Sequence, residues 1–250
     1  MSHSRPVPQV TRSRAQLTPA LIREAALALI DREGESGLTF RALGGELGAD
    51  PTAVYRHFRS KDDLLLSLAD QLIGEALDAV PDGLDWRTTL RALGQEVYRA
   101  LLRHPRLAIL VAARTTQGLD EARGIERVLA TLSDAGFSSE DAVVIWRTLG
   151  DTTLAWAGLS ASYLSLPPDT QDHDNQAWTT TYRHLPADRY PHIAAARPYL
   201  TVQRDPFTDA LELLLDGVAA RSPEQHGTPR RRSSTPVRKP PPTTSSRSRT

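Results

Sequence analysis

Residues 39–61, TFRALGGELGADPTAVYRHFRSK, decide the fold of this 250-residue chain. They read as two short helices joined by a tight turn. Thr39 is a good N-cap, because its hydroxyl can accept an amide from the first turn. Phe40, Leu43 and Leu47 follow at helical spacing. Gly48 stands where the chain must leave that helix, at a position that tolerates positive φ. Asp50 caps the second helix and Pro51 takes its first position, where a missing N–H costs nothing. This second helix is expected over 51–57. Val54 and Phe58 face inward, while Thr52, Ala53, Tyr55, Arg56 and His57 cover the rest of its circumference. A narrow apolar stripe with small, hydroxyl, aromatic and cationic groups elsewhere suits a DNA major groove.

Working outward, Thr18 and Pro19 open a preceding helix with Leu21, Ile22, Ala25, Ala26, Leu29 and Ile30 on one wide apolar face. Gly34 and Gly37 end it. On the other side Ser60 caps a fourth helix running to about residue 80. Lys61, Asp62 and Asp63 fall in its first turn, and the two acids suit a helix N-terminus. Pro81-Asp82-Gly83 then breaks the chain and marks a domain boundary.

The helix from 18 to 34 followed by LTFRALGGELGADPTAVYRHFRSKDDLL resembles the DNA-binding domain of the tetracycline-repressor (TetR) family. Residues Ala53-Val54-Tyr55-Arg56-His57-Phe58 and Ser60-Lys61-Asp62-Asp63-Leu64 carry most of the likeness. The resemblance implies that the second helix of the motif lies in the major groove. Thr52, Ala53 and Arg56 would face base edges, with Pro51 close by and Thr39 counted with them. Arg41 would reach a base or a phosphate, and Tyr55 and His57 the backbone. Lys61, at a helix start where amides and charge combine, would hold a phosphate. Tyr55 also reads as an aromatic packing the small module, and His57 as a helix C-terminal histidine favoured by the dipole.

From Trp86 onward everything reads as helix. Expected helices cover 86–103, 106–116, 119–135, 139–164, a stretch near 176–185, and 206–220. The second is almost wholly apolar and should be buried nearly all round. Residues 167–176 read as an acidic, polar loop and 190–198 as a proline-punctuated stretch. The fold class is therefore all-α: an N-terminal three-helix helix-turn-helix domain (18–80) plus a C-terminal helical ligand-binding and dimerisation domain (85–220). The segments GFSSEDAV, YPHIAAARPYL and DPFTDALELLLDGVAAR resemble the C-terminal domain of the tetracycline-repressor subgroup itself. That implies a homodimer on a palindromic double-stranded DNA operator, paired through 139–164 and 206–220. It also implies a small effector that releases the DNA. Tyr98, Arg114, Trp146, Asp151, Trp156 and Tyr163 are the candidate pocket residues, each an aromatic or polar group in an apolar helix, though core packing explains any one of them equally. Tetracycline repressors hold their drug through magnesium and a histidine in the short buried helix; 106–116 has no histidine, so a hydrophobic or aromatic effector is expected instead. A ligand-independent or activating DNA-binding protein is the alternative.

Composition bounds the rest. There is no cysteine, which excludes disulfides, thiolate metal sites and a cysteine nucleophile. No run approaches a membrane span, and residues 1–16 lack the apolar core of a secretory signal, so a cytoplasmic protein is expected, nucleoid-associated when bound to DNA. The sequence has no GxxxxGK[ST], GxSxG or HExxH motif, and Gly158-Leu159-Ser160-Ala161-Ser162 lacks the last glycine of a nucleophile elbow. No catalytic residue, metal ligand or cofactor is expected. The zero net charge hides an uneven distribution: residues 221–250 hold eight basic residues and one acid, so the remainder carries −7. This basic, Pro/Ser/Arg-rich tail is expected to be disordered, and serves either phosphate attraction or solubility. Residues 1–17, with Arg5, Arg12 and Arg14, read as a flexible arm that either reaches DNA or is simply solvated.

Overall fold

Six of the expected helix starts rest on a capping side chain, and all six caps form. Thr18, Thr39, Asp50, Ser60, Asp85 and Ser138 accept from the amides of Leu21, Ala42, Thr52, Asp63, Thr88 and Asp141 at 2.8–3.3 Å. The computed structural model describes residues 17–200 and 205–222; the arm and almost all of the basic tail lie outside the described residues. Among the described residues every regular element is helical. They are α1 (Pro19–Glu33), α2 (Phe40–Leu47), α3 (Pro51–Val54), α4 (Lys61–Asp78), α5 (Trp86–Leu102), α6 (Pro105–Val111), α7 (Leu119–Asp134), α8 (Ser139–Leu164), α9 (Pro168–Gln176), α10 (Pro191–Ala196) and α11 (Pro206–Ala219). No described helix is long and apolar enough to cross a membrane.

Two apolar clusters hold these helices. The first gathers Ile22, Leu29 and Ile30 of α1, Phe40 and Leu43 of α2, Val54 and Phe58, and Leu64 to Ala76 of α4. It continues into the body through Leu107, Ala108 and Val111 of α6 and Ala157 and Ala161 of α8. The second joins Leu77 at the end of α4 to Leu90 and Leu93 of α5, Leu132 of α7, Ile145 and Leu149 of α8, and Phe207, Leu211 and Leu215 of α11. One helix, α4, thus runs from the first cluster into the second. The apolar packing is continuous across the break expected at Pro81-Asp82-Gly83.

Four expectations change. The helix expected over 51–57 is regular only to Val54, because the Val54 carbonyl takes both the His57 and the Phe58 amides and tightens the turn. The helix expected over 106–116 stops at Val111, and its burial is one-sided: Leu107, Ala108 and Val111 are buried while Ile109 is 44% exposed. The loop expected over 167–176 is the helix α9, opened by Pro168 at its first position and docked by Tyr163 Oη, which donates to the Gln171 carbonyl at 3.1 Å. It buries no residue, so no apolar periodicity announced it. The helix expected near 176–185 is a wide π turn over Ala177–Thr181 followed by a 3₁₀ turn over Tyr182–His184.

The helix-turn-helix depends on one close approach. A Cβ added to Gly44 would stand 2.8 Å from the Ala49 carbonyl oxygen and 3.2 Å from the Pro51 ring, whereas one on Gly45 would meet nothing within 4 Å. Gly44→Ala will therefore destabilise the protein by about 1–3 kcal/mol, the usual effect of overpacking. Gly45→Ala, in open helical space, will stabilise it by roughly 0.5–1 kcal/mol. Thermal unfolding of the two variants must move in opposite directions.

On the far side of the body, α5 and α11 are cross-linked by charge. Glu212 accepts from Arg91 Nε and, at 2.9 Å, from Arg87, which also reaches Asp216 at 2.6 Å. The Arg91 hydrogen bond, assisted by Arg87 and opposed by partial burial, lowers the Glu212 pKa from 4.5 to about 2. A depressed carboxylate stabilises the folded state above its unfolded pKa and loses that contribution as pH falls. The loss here spans pH 5 down to about 2. With 36% of the side chain exposed, solvent screening leaves on the order of 1 kcal/mol. Glu212→Gln will lower stability at pH 7 by that amount, and the difference from the parent will shrink toward pH 3.

Candidate nucleic-acid interface

The surface built by α2, α3 and the turn after α3 starts from a buried wedge. Phe40 at the start of α2 is 7% exposed, and the Tyr55 ring meets it edge-on at 4.4 Å and 66°. This contact holds the base of Tyr55 while leaving 59% of the residue exposed. Both expected readings of Tyr55 are therefore geometrically compatible. Gly48 ends α2 in the left-handed region at φ 58°, and the chain turns directly into the Asp50 cap.

That cap restricts Thr52. Asp50 accepts both the Thr52 amide at 2.8 Å and the Thr52 hydroxyl at 2.6 Å. The hydroxyl proton is committed to the turn, so Thr52 has its methyl and an acceptor oxygen left to offer. The Thr39 hydroxyl accepts the Ala42 amide at 3.1 Å and keeps its own proton to donate. Pro51 and Ala53 are half-buried, and Arg41, Arg56 and His57 are exposed. The side chains of these last three make no hydrogen bond or ion pair to another described residue. Arg59, on the turn leaving α3, is in the same position and escaped the sequence reading. Its signal was present as a cation three residues beyond Arg56.

Lys61 differs. Its ammonium donates to the Glu35 carbonyl at 2.6 Å and lies 3.4 Å from the Glu35 carboxylate. Two of its three N–H groups face Glu35, which leaves the third to meet a phosphate. The acids beside it are accounted for: Asp63 accepts the Arg59 amide at 2.9 Å, and Asp62 takes both Nη atoms of Arg114 at 2.8 Å each. The Arg114 hydrogen bonds hold the Asp62 carboxyl below the ordinary carboxylate range. In the first turn of α4, Asp62 is thus ion-paired and Asp63 is hydrogen-bonded to a backbone amide.

The six candidate pocket residues do not converge. Tyr98, Trp146 and Trp156 are partly buried against the second cluster. Tyr98 stacks on Phe207 at 4.1 Å, and its hydroxyl lies 2.9 Å from Ser160 Oγ. Tyr163 is used on α9. Asp151 has a side chain 70% exposed, 3.7 Å from Arg147. Arg114 is outside α6 altogether, because that helix ends at Val111. A cleft of about 450 Å³ opens between the α4–α5 link and the end of α7, lined by Pro81 to Trp86, Thr89, Arg127, Thr131 and Asp134; none of the six lines it. Among the described residues no group of three or more histidines and carboxylates could hold a metal ion.

A family model described as bacterial regulatory proteins, tetR family, matches residues 22–68. A second, described as the tetracyclin repressor-like C-terminal domain, matches residues 80–222. An HTH-type transcriptional regulator of Saccharopolyspora erythraea is 37% identical over 131 residues, 52% of this chain and 56% of the relative. The class C tetracycline repressor protein of Escherichia coli is 31% identical over 170 residues, 67% of this chain and 75% of the relative. Among solved structures, a transcriptional regulator of Streptomyces coelicolor described as a TetR superposes with a TM-score of 0.69 at 28% identity, covering 82% of this chain and 98% of its own. The chain spans little more than half the length of the first curated relatives it matches.

Proposed function

We infer what this chain does from one premise: it belongs to the tetR family of bacterial regulatory proteins. It binds double-stranded DNA through α2, α3 and the start of α4 and represses transcription from a palindromic operator. Residues 18–80 form the DNA-binding module and 85–220 the effector-binding and dimerisation domain. The observation that carries this is the set of exposed, unpaired groups on one small surface, Arg41, Arg56 and His57, beside a half-exposed Tyr55. Arg56, with Thr52 and Ala53, reads bases; Arg41 reads a base or a phosphate; Tyr55, His57 and Lys61 hold the backbone, and Pro51 and Thr39 shape the approach.

A single module of this size grips DNA weakly, and a two-fold dimer doubles the contacts. The body presents apolar groups suited to that pairing: Val143, Val144 and Leu159 on α8 and Leu213 on α11 are 45%, 46%, 61% and 74% exposed. Helices α8 and α11 meeting their symmetry mates would cover them in a four-helix bundle. The effector is a small hydrophobic or aromatic compound taken up beside Tyr98, Trp146 and Trp156. The protein works in the cytoplasm, on the nucleoid. The curated relatives it matches are named as transcriptional regulators or repressors.

The test is selection of bound fragments from sheared genomic DNA by the full chain, at about 150 mM salt to suppress purely ionic binding. An inverted repeat shared by the recovered fragments is the expected result. Recovery of unrelated fragments would overturn sequence-specific binding by this surface.

A further inference from the structure

Arg114 lies in the connector between α6 and α7, residues 112–118, and that connector is fastened to α4 at two points. At the DNA-facing end, both Nη atoms of Arg114 donate to the two Asp62 oxygens at 2.8 Å. Eight residues further along α4, Asp70 accepts Thr116 Oγ1 at 3.0 Å and the amides of Glu121 and Asp120 at 2.9 and 3.3 Å. Helix α4 thus supplies the cap that Gly118, at the N-cap of α7, cannot. At 1.5 Å per residue the two anchors stand about 12 Å apart. The second is tight: a Cβ on Gly118 would fall 2.1 Å from the Asp70 carboxyl carbon. Within the second anchor Gln117 has φ 58°, a left-handed conformation rare outside glycine, held by its amide donating to Glu121 at 2.8 Å. The other end of α6 is tied to α1, with His104 Nδ1 2.7 Å from Asp31 and Arg106 donating to the Arg32 carbonyl at 2.8 Å.

The two anchors on α4 differ in kind. The Asp70 anchor is part-buried and made largely of backbone amides. The Arg114–Asp62 pair is bidentate but solvent-exposed, with side chains 43% and 55% accessible. An exposed ion pair holds by only a small margin and is screened by salt, so it is the anchor that opens first. We propose that Arg114 and Asp62 form a releasable latch that sets how the DNA-binding module sits against the body, with Asp70 as the fixed point about which the connector moves. Both are positioning residues. The latch itself stands on the protein alone, and only its effect on DNA rests on the function argued above.

Hydrogen exchange on the full chain tests it with Arg114→Ala, Asp62→Asn and the double variant. Amides of 112–116 and of the first turn of α4 should exchange about two- to fivefold faster in Arg114→Ala, the range an exposed pair supports. Amides of α7 and α11 should keep the parent rate. The double variant should exchange no faster than Arg114→Ala, since one interaction cannot be lost twice. The parent at about 1 M salt should approach the variant. Multiplying effects in the double variant, or faster exchange throughout the chain, would overturn the latch and leave a merely structural pair. Affinity for the operator recovered by fragment selection should shift by the same two- to fivefold in Arg114→Ala. A latch that opens in exchange while operator affinity is unchanged would overturn its role in positioning the module. Failure to recover an operator would count against the function and leave the exchange result decisive for the latch.

Discussion

Phe207→Ala will cost about 3–5 kcal/mol, the range for deleting a buried aromatic ring and leaving its cavity. Phe207 is 1% exposed, in the first turn of α11, and its ring lies on Tyr98 with 18° between planes. It is the largest group α11 contributes to the second cluster, beside Leu211 and Leu215. At about 2–4 °C per kcal/mol for a chain of this size, the melting temperature should fall by roughly 6–20 °C. Leu213 is the contrast. It lies on the same helix but is 74% exposed, so Leu213→Ala should leave the unfolding of dilute protein almost unchanged. It should instead weaken self-association, read by sedimentation over a concentration series. A loss below 1 kcal/mol for Phe207→Ala would mean that α11 does not pack on α5 as described.

Replacing Arg56 by alanine should lower affinity for the selected operator by about five- to a hundredfold, the 1–3 kcal/mol that a bidentate arginine–guanine contact contributes. Random DNA should lose far less. Lys61→Ala should instead weaken both DNAs alike and reduce the salt slope by about 1, the signature of one phosphate contact. The variant also loses the contact of the ammonium with Glu35. Competition binding at two salt concentrations separates these outcomes. Equal losses on both DNAs for both variants would sink the assigned division between base reading and phosphate holding.

The caps were legible because each is a local event: a Thr, Asp or Ser side chain reaching an amide two or three residues on. That is why the starts of α1, α2, α3, α4, α5 and α8 stand where the sequence places them. The ends of α3 and α6 were less legible. Val54 ends its helix by accepting two amides, and the connector after Val111 is drawn onto α4 by Asp62 and Asp70, fifty residues away in the chain. Helix α9 was missed because a helix that buries nothing shows no apolar stripe.

The same division runs through the site. The residue types at 48–57 by themselves determined that a cationic and aromatic segment follows a tight turn, because the spacing of Gly48, Asp50, Pro51 and Val54 acts within a few residues. Only the tertiary structure decided what each side chain has left to offer. Thr52 gives its hydroxyl to Asp50, Lys61 is held by Glu35, and Arg114 leaves the expected pocket to pair with Asp62, while Arg41 and Arg56 stay unpaired among the described residues. Two of those assignments, Lys61 with Glu35 and Arg114 with Asp62, join groups 26 and 52 residues apart. Such partners are set by the packing of α1, α4 and α6 around one shared apolar cluster, which no local pattern encodes.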